Sequence, residues 1–150
     1  VKILIGCDHA GVALKKEILP ILDELSINYE DVGTNSEISV DYPDFGERVA
    51  LAVSRGEVER GILICGTGIG MSIVANKFPN VRASLCNDSY SARMSRLHND
   101  ANILVLPGRV IDMEKAREIV RVWFTTPFEG GRHQRRLEKI KAIEERLSCK

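Results

Sequence analysis

GILICGTGIGMS, residues 61–72, is the stretch on which the fold turns. An apolar run, Ile62-Leu63-Ile64, ends in Cys65 and then in glycines at 66, 68 and 70. A strand that apolar needs cover on both faces, which a parallel sheet wrapped by helices supplies. The glycines let the chain turn sharply out of the strand, and a following helix aims unpaired N–H groups back at the turn. Such a strand–loop–helix unit is the building block of α/β proteins.

Working outward, four more strands are expected at residues 2–7 (KILIGC), 28–32 (NYEDV), 82–86 (RASLC) and 102–106 (NILVL). Helical periodicity fills the gaps: Leu14, Ile18, Ile21, Leu22 and Leu25 share one face, and Pro20 is expected to bend that helix. Asp41-Tyr42-Pro43 suits a helix entry, continued by Phe45, Val49, Ala52 and Val53. Asp88 and Asp112 are placed to cap two later helices, the second burying Ala116, Ile119, Val120 and Trp123. The expected architecture is a doubly wound three-layer α/β sandwich around a five-stranded parallel sheet in the order 2-1-3-4-5, one domain over residues 1–150. An extra C-terminal helix, 132–147, carries a stripe of Leu137, Ile140, Ile143 and Leu147 with no strand left to cover it. Its expected cover is a second copy of the chain, giving a homodimer and leaving a tetramer open.

At 150 residues the chain can bury a core without disulfides. Its 21 lysines and arginines balance 21 aspartates and glutamates, so no general attraction for nucleic acid or an anionic membrane is expected. Cys7, Cys65, Cys86 and Cys149 form no CxxC pair and no histidines show a ligand spacing, so neither zinc nor a dithiol redox motif is expected. Free thiols and the lack of a signal peptide or a spanning run point to a cytoplasmic address.

In an open parallel sheet, ligands collect beyond the carboxyl ends of the strands at the point where strand order reverses. The first strand runs into Asp8-His9-Ala10-Gly11 and the third into Cys65-Gly66-Thr67-Gly68-Ile69-Gly70, so both clusters face one crevice. The loop is an anion cradle, but neither a Walker A loop nor GxGxxG, and Met71 stands where a tyrosine-phosphatase loop needs arginine. Cys65, by itself an ordinary core residue, gains thiolate character from the helix start beyond it and becomes a candidate base. His98, before Asn99-Asp100, reads either as a helix-end residue or as a functional one. Arg132 and Arg136 lie one helical turn apart at a helix start, where cations oppose the dipole unless an anion binds; a solvated basic surface is the plain alternative. Arg109, just past the fifth strand, is a third candidate anion ligand.

Together, GCDHAG (6–11), DYPD (41–44), ICGTGIGMSI and ANK within 64–77, SRLHNDAN (95–102) and EGGRHQRR (129–136) resemble type B ribose-5-phosphate isomerases over nearly the whole chain. The wider family includes galactose-6-phosphate isomerase subunits. The resemblance implies a cofactor-free aldose–ketose isomerase with Cys65 shuttling a proton between C2 and C1 of the open-chain sugar, Met71 standing where another branch has glutamate. It implies His98 as the ring-opening acid with Asp8 as its partner, and Gly66, Thr67, Gly68, Ile69 and Gly70 as the enediolate-stabilising loop. Asn99 becomes a further sugar contact, and His9, Arg109, Arg132 and Arg136 a phosphate grip partly supplied by a second subunit. Competing expectations are a six-carbon sugar phosphate as substrate, a non-catalytic sugar-phosphate sensor, and a nucleotide-binding module like the universal stress domains.

Overall fold

The computed structural model describes residues 2–148; Cys149 lies outside them. Five parallel strands form one sheet: β1 (Lys2–Cys7), β2 (Asn28–Asp31), β3 (Arg60–Cys65), β4 (Ala83–Leu85) and β5 (Ile103–Pro107). β3 is central, with Ile62 paired to Ile5 on one side and to Leu104 on the other.

The strand order is β2-β1-β3-β5-β4, which corrects the expected 2-1-3-4-5. Burial explains the exchange. Every residue of β5 is buried, as an inner strand requires, whereas β4 is three half-buried residues fit for an edge. Handedness agrees. Right-handed crossovers put helices of chain moves in one direction on one face of the sheet and those of opposite moves on the other. The steps β2 to β3 and β3 to β4 go one way, through α2 (Tyr42–Ser54) and α3 (Ile69–Ala75), which pack together. The steps β1 to β2 and β4 to β5 go the other way, through α1 (Val12–Glu24) and α4 (Ser89–Leu97), and both of these pack on α5 (Met113–Thr125). Two apolar layers result. Ile3, Ile5, Ile62, Ile64, Leu104 and Leu106 face the α1 side, while Leu63, Cys65, Ile103 and Val105 face the α2 side.

The helix starts follow the capping expectation at two sites. The Asp88 carboxylate accepts the Ser91 N–H at 2.7 Å, and that of Asp112 accepts the N–H groups of Glu114 and Lys115 at 2.8 and 3.2 Å. Asp41 precedes α2 with extended backbone, but its side chain makes no capping bond. α1 continues through exposed Pro20 to Glu24. The last helix, α6 (Arg132–Ser148), lies beside the turn before β4, where the Glu144 carboxylate accepts the Asn80 N–H at 3.0 and 3.1 Å. Its apolar stripe stays open: Ile140, Ile143 and Leu147 are all about half exposed. No helix among the described residues is long and apolar enough to cross a membrane.

Candidate active site

Two clusters of the expected residues form, at opposite rims of the sheet. At the carboxyl rim, β1 delivers Asp8 and His9, β3 delivers Cys65 and the glycine loop, and β5 delivers Arg109. The strand ends are laced together: Asp8 N–H donates to the Ile64 carbonyl at 3.2 Å, Gly108 N–H to Cys65 at 2.8 Å, and Arg109 N–H to Gly66 at 3.0 Å. Asp8 is buried, and its carboxylate caps the 3-10 turn His9–Gly11 by accepting the Ala10 N–H at 3.0 Å. His9 Nδ1 accepts the Val40 N–H at 3.2 Å, which leaves Nε2 as the protonated, donating nitrogen.

Cys65 is 5% exposed, at the top of the apolar layer it shares with Met71 and Val105. Past it, Gly68 takes φ +78°, a left-handed conformation that side chains resist, and a Cβ there would run into Leu85. The turn brings Ile69 N–H to the Thr67 hydroxyl at 3.3 Å and starts α3 beside the thiol. A Cβ at Gly70 would meet the Tyr42 ring at 2.5 Å, so this glycine seats a tyrosine over the loop. In the sequence Tyr42 reads only as part of a helix entry, Asp41-Tyr42-Pro43.

The amino rim holds the other residues. His98 ends α4, which runs back against the strands, and β5 begins only five residues later, at Ile103 beside Gly61. Cys65 closes the far end of the same β3, about 13 Å of strand away at ~3.3 Å per residue. Asn99 follows His98, and the start of α6 packs here through His133, whose ring stacks on His98 with centroids 4.1 Å apart and 15° between planes. Arg132 and Arg136 flank His133 on the same helix, both exposed. Within one chain, therefore, Cys65, Asp8, His9, Gly66, Thr67, Gly68, Ile69, Gly70 and Arg109 come together, but His98, Asn99, Arg132 and Arg136 do not join them.

His133 had no assigned role, although the histidine within EGGRHQRR was visible. It is 4% exposed, and burial, followed by repulsion from His98 and Arg132, holds its imidazole below the usual histidine pKa. Its buried Nε2 has no hydrogen-bond partner, and the nearest Glu129 oxygen is 4.0 Å away. Ligand atoms of His98, Glu129 and His133 all lie within 4.8 Å of one another. The rings are stacked, however, and Arg132 and Arg136 adjoin them with positive charge. The cluster suits an anion's surroundings better than a cation's.

Comparisons with known proteins follow the same outline. Residues 3–140 match the profile of the Ribose/Galactose Isomerase family. The chain is 52% identical over 145 residues to ribose-5-phosphate isomerase B of Escherichia coli (strain K12), covering 97% of each. It is 40% identical to a D-erythrulose-4-phosphate isomerase of Pectobacterium atrosepticum, over 92% of this chain and 91% of that one. Among solved structures, a ribose-5-phosphate isomerase B of Clostridium thermocellum superposes with a TM-score of 0.94 at 53% identity, covering 98% of this chain and 99% of that one.

Proposed function

The chain belongs to the ribose/galactose isomerase family, and from that membership we propose that it interconverts ribose 5-phosphate and ribulose 5-phosphate by acid–base catalysis. The chemistry is internally balanced. Opening the furanose moves a proton from the C1 hydroxyl to the ring oxygen and releases the aldehyde. A base then takes the C2 proton to give a cis-enediolate, and its return to C1, with the O2 proton moving to O1, gives the ketose. No oxidant or reductant is consumed.

Cys65 as thiolate is the C2/C1 base, and the Gly66–Gly70 backbone with Thr67 faces the charge developing on O1 and O2. Asp8 holds sugar hydroxyls near the ring oxygen, while His9 Nε2 and Arg109 take the phosphate at this rim. His98 donates the proton that opens the ring, Asn99 binds the sugar, and Arg132 and Arg136 complete the phosphate grip. Because these four lie at the opposite rim from Cys65, the working centre takes them from a second copy. The homodimer pairs the open stripes of α6, whose half-exposed isoleucines would otherwise meet water. Among the described residues the free thiols of Cys7, Cys65 and Cys86 fit a reducing, cytoplasmic setting.

The observation that carries this reading is the convergence of Asp8, Cys65 and the glycine loop on one rim, laced by backbone hydrogen bonds. The test is Cys65→Ala with ribose 5-phosphate. Turnover is expected to fall about 10³-fold with sugar-phosphate binding retained; full activity would remove Cys65 as the base. A shorter substrate is the second reading, favoured by the four-carbon relative. Comparing kcat/KM for four-, five- and six-carbon sugar phosphates separates the two, and binding of all three without turnover would leave only a sensor.

A further inference from the structure

Arg96, in the last turn of α4, is 3% exposed. Removing a guanidinium from water is costly, and an amphipathic surface helix does not require it. Its hydrogen bonds show what the burial secures. Nη1 donates to the Asp100 carboxylate at 2.9 Å and to the Ala101 carbonyl at 2.6 Å. Nε donates to the Thr126 carbonyl at 3.3 Å. The guanidinium also lies over the fully buried Trp123 ring, 5.6 Å from its centroid.

These partners belong to two segments of different purpose. Asp100 and Ala101 close the turn that presents His98 and Asn99, and Asp100 sits there at φ +45°, a conformation that needs holding. Arg82 grips the same turn from outside, its Nε donating to the Asn99 and Asp100 carbonyls at 3.1 Å each. Thr126 begins the segment that leads to α6 with Arg132 and Arg136, and its Glu129 N–H returns to the Leu97 carbonyl at 3.0 Å. One buried side chain therefore spans the carrier of the ring-opening group and the root of the phosphate grip.

The substrate demands such a span. In the furanose the ring oxygen is separated from phosphorus only by C4, C5 and O5, so an acid for that oxygen must stand at a set distance from whatever holds the phosphate. We propose that Arg96 is a positioning residue for ring opening, setting the distance between His98 and the Arg132–Arg136 grip by tying the 98–101 turn to Thr126. This rests on the role given above to His98. Lysine cannot replace it, because a single ammonium lacks the rigid fork that reaches Asp100, Ala101 and Thr126 together.

The test compares two substrates in Arg96→Lys and His98→Asn. Ribose 5-phosphate must be opened; 4-deoxyribose 5-phosphate lacks the hydroxyl that closes the furanose and enters as the free aldehyde. Arg96→Lys is expected to lower kcat on ribose 5-phosphate by about 10- to 10²-fold. Turnover of the open-chain analogue should stay within about twofold, because a residue acting only through ring-opening geometry leaves proton transfer alone. Asp100→Asn, which keeps the arginine but weakens its partner, should shift the ratio the same way by less, and serves if Arg96→Lys fails to fold. Equal losses on both substrates, or none, in these variants overturn the proposal. If His98→Asn also fails to discriminate, the reading of His98 falls first.

Discussion

His133 couples the protonation of one residue to the stability of the fold. Its ring is stacked on His98 and nearly removed from solvent, and burial, repulsion from His98 and repulsion from Arg132 all favour the neutral form against weak opposition from Glu129. The unfolded chain takes up this proton near the ordinary histidine value of 6.5, whereas the folded chain resists until a lower pH. The unfolded state thus binds more protons in that window, so stability falls on acidification through it and is recovered above it. Urea unfolding at pH 7.5 and 5.5 should show the loss, and His133→Gln should reduce it relative to wild type; an unchanged difference would exclude His133 as its source. Residues differ in how openly the sequence declares them. Cys65, Asp8 and Arg109 are legible as candidates because each ends an apolar strand or follows one within two residues, and strand ends are where open sheets bind ligands. Arg96 and Lys15 are not. A cation in an amphipathic helix reads as solvent-facing until the fold seats its partners, which for Arg96 are Asp100 and the Ala101 and Thr126 carbonyls. For Lys15 the end of β2 and the loop after it bring Asp31 to 2.8 Å, the Thr34 carbonyl to 2.6 Å and Asn35 to 2.8 Å.

Among the elements, β1, α6 and the two aspartate caps stand almost where periodicity puts them, because their signals are local. The order of β4 and β5 is not local: a right-handed crossover serves either arrangement, and only the contrast between an all-apolar ILVLP and a short, mixed ASL tells which strand is inner. The same reasoning places His98. A helix that returns against a parallel sheet ends at the amino rim, so a residue at the end of α4 cannot share a crevice with the end of β3 in the same chain. In the proposed dimer α6 then bears the burden of assembly. Ile143→Asp puts a charge in the middle of its open stripe, at a side chain that is half exposed in the single chain. Sedimentation should show the dimer mass replaced by the monomer, with turnover lost and far-UV dichroism unchanged. A dimer that survives the aspartate would move the interface elsewhere.

At the scale of the molecule, the proposed dimer has each polypeptide contribute one rim to one centre and the opposite rim to another. Cys65→Ala and His98→Asn are then complementary lesions. In a mixed dimer one centre collects both substitutions and the other neither, so mixing two inactive preparations, with exchange of chains, should restore about a quarter of wild-type turnover by random pairing. No recovery, with heterodimers demonstrated by mass, would put both residues in the same chain's centre. The separation of the rims also bears on how the catalyst behaves at low abundance. Diluted below the dissociation constant of the pair, the protein should keep its helices but melt at a lower temperature and fall idle, its specific activity sinking as partners part company. In the proposed dimer the amount of catalyst is set by encounters between chains rather than by the number of chains that are folded.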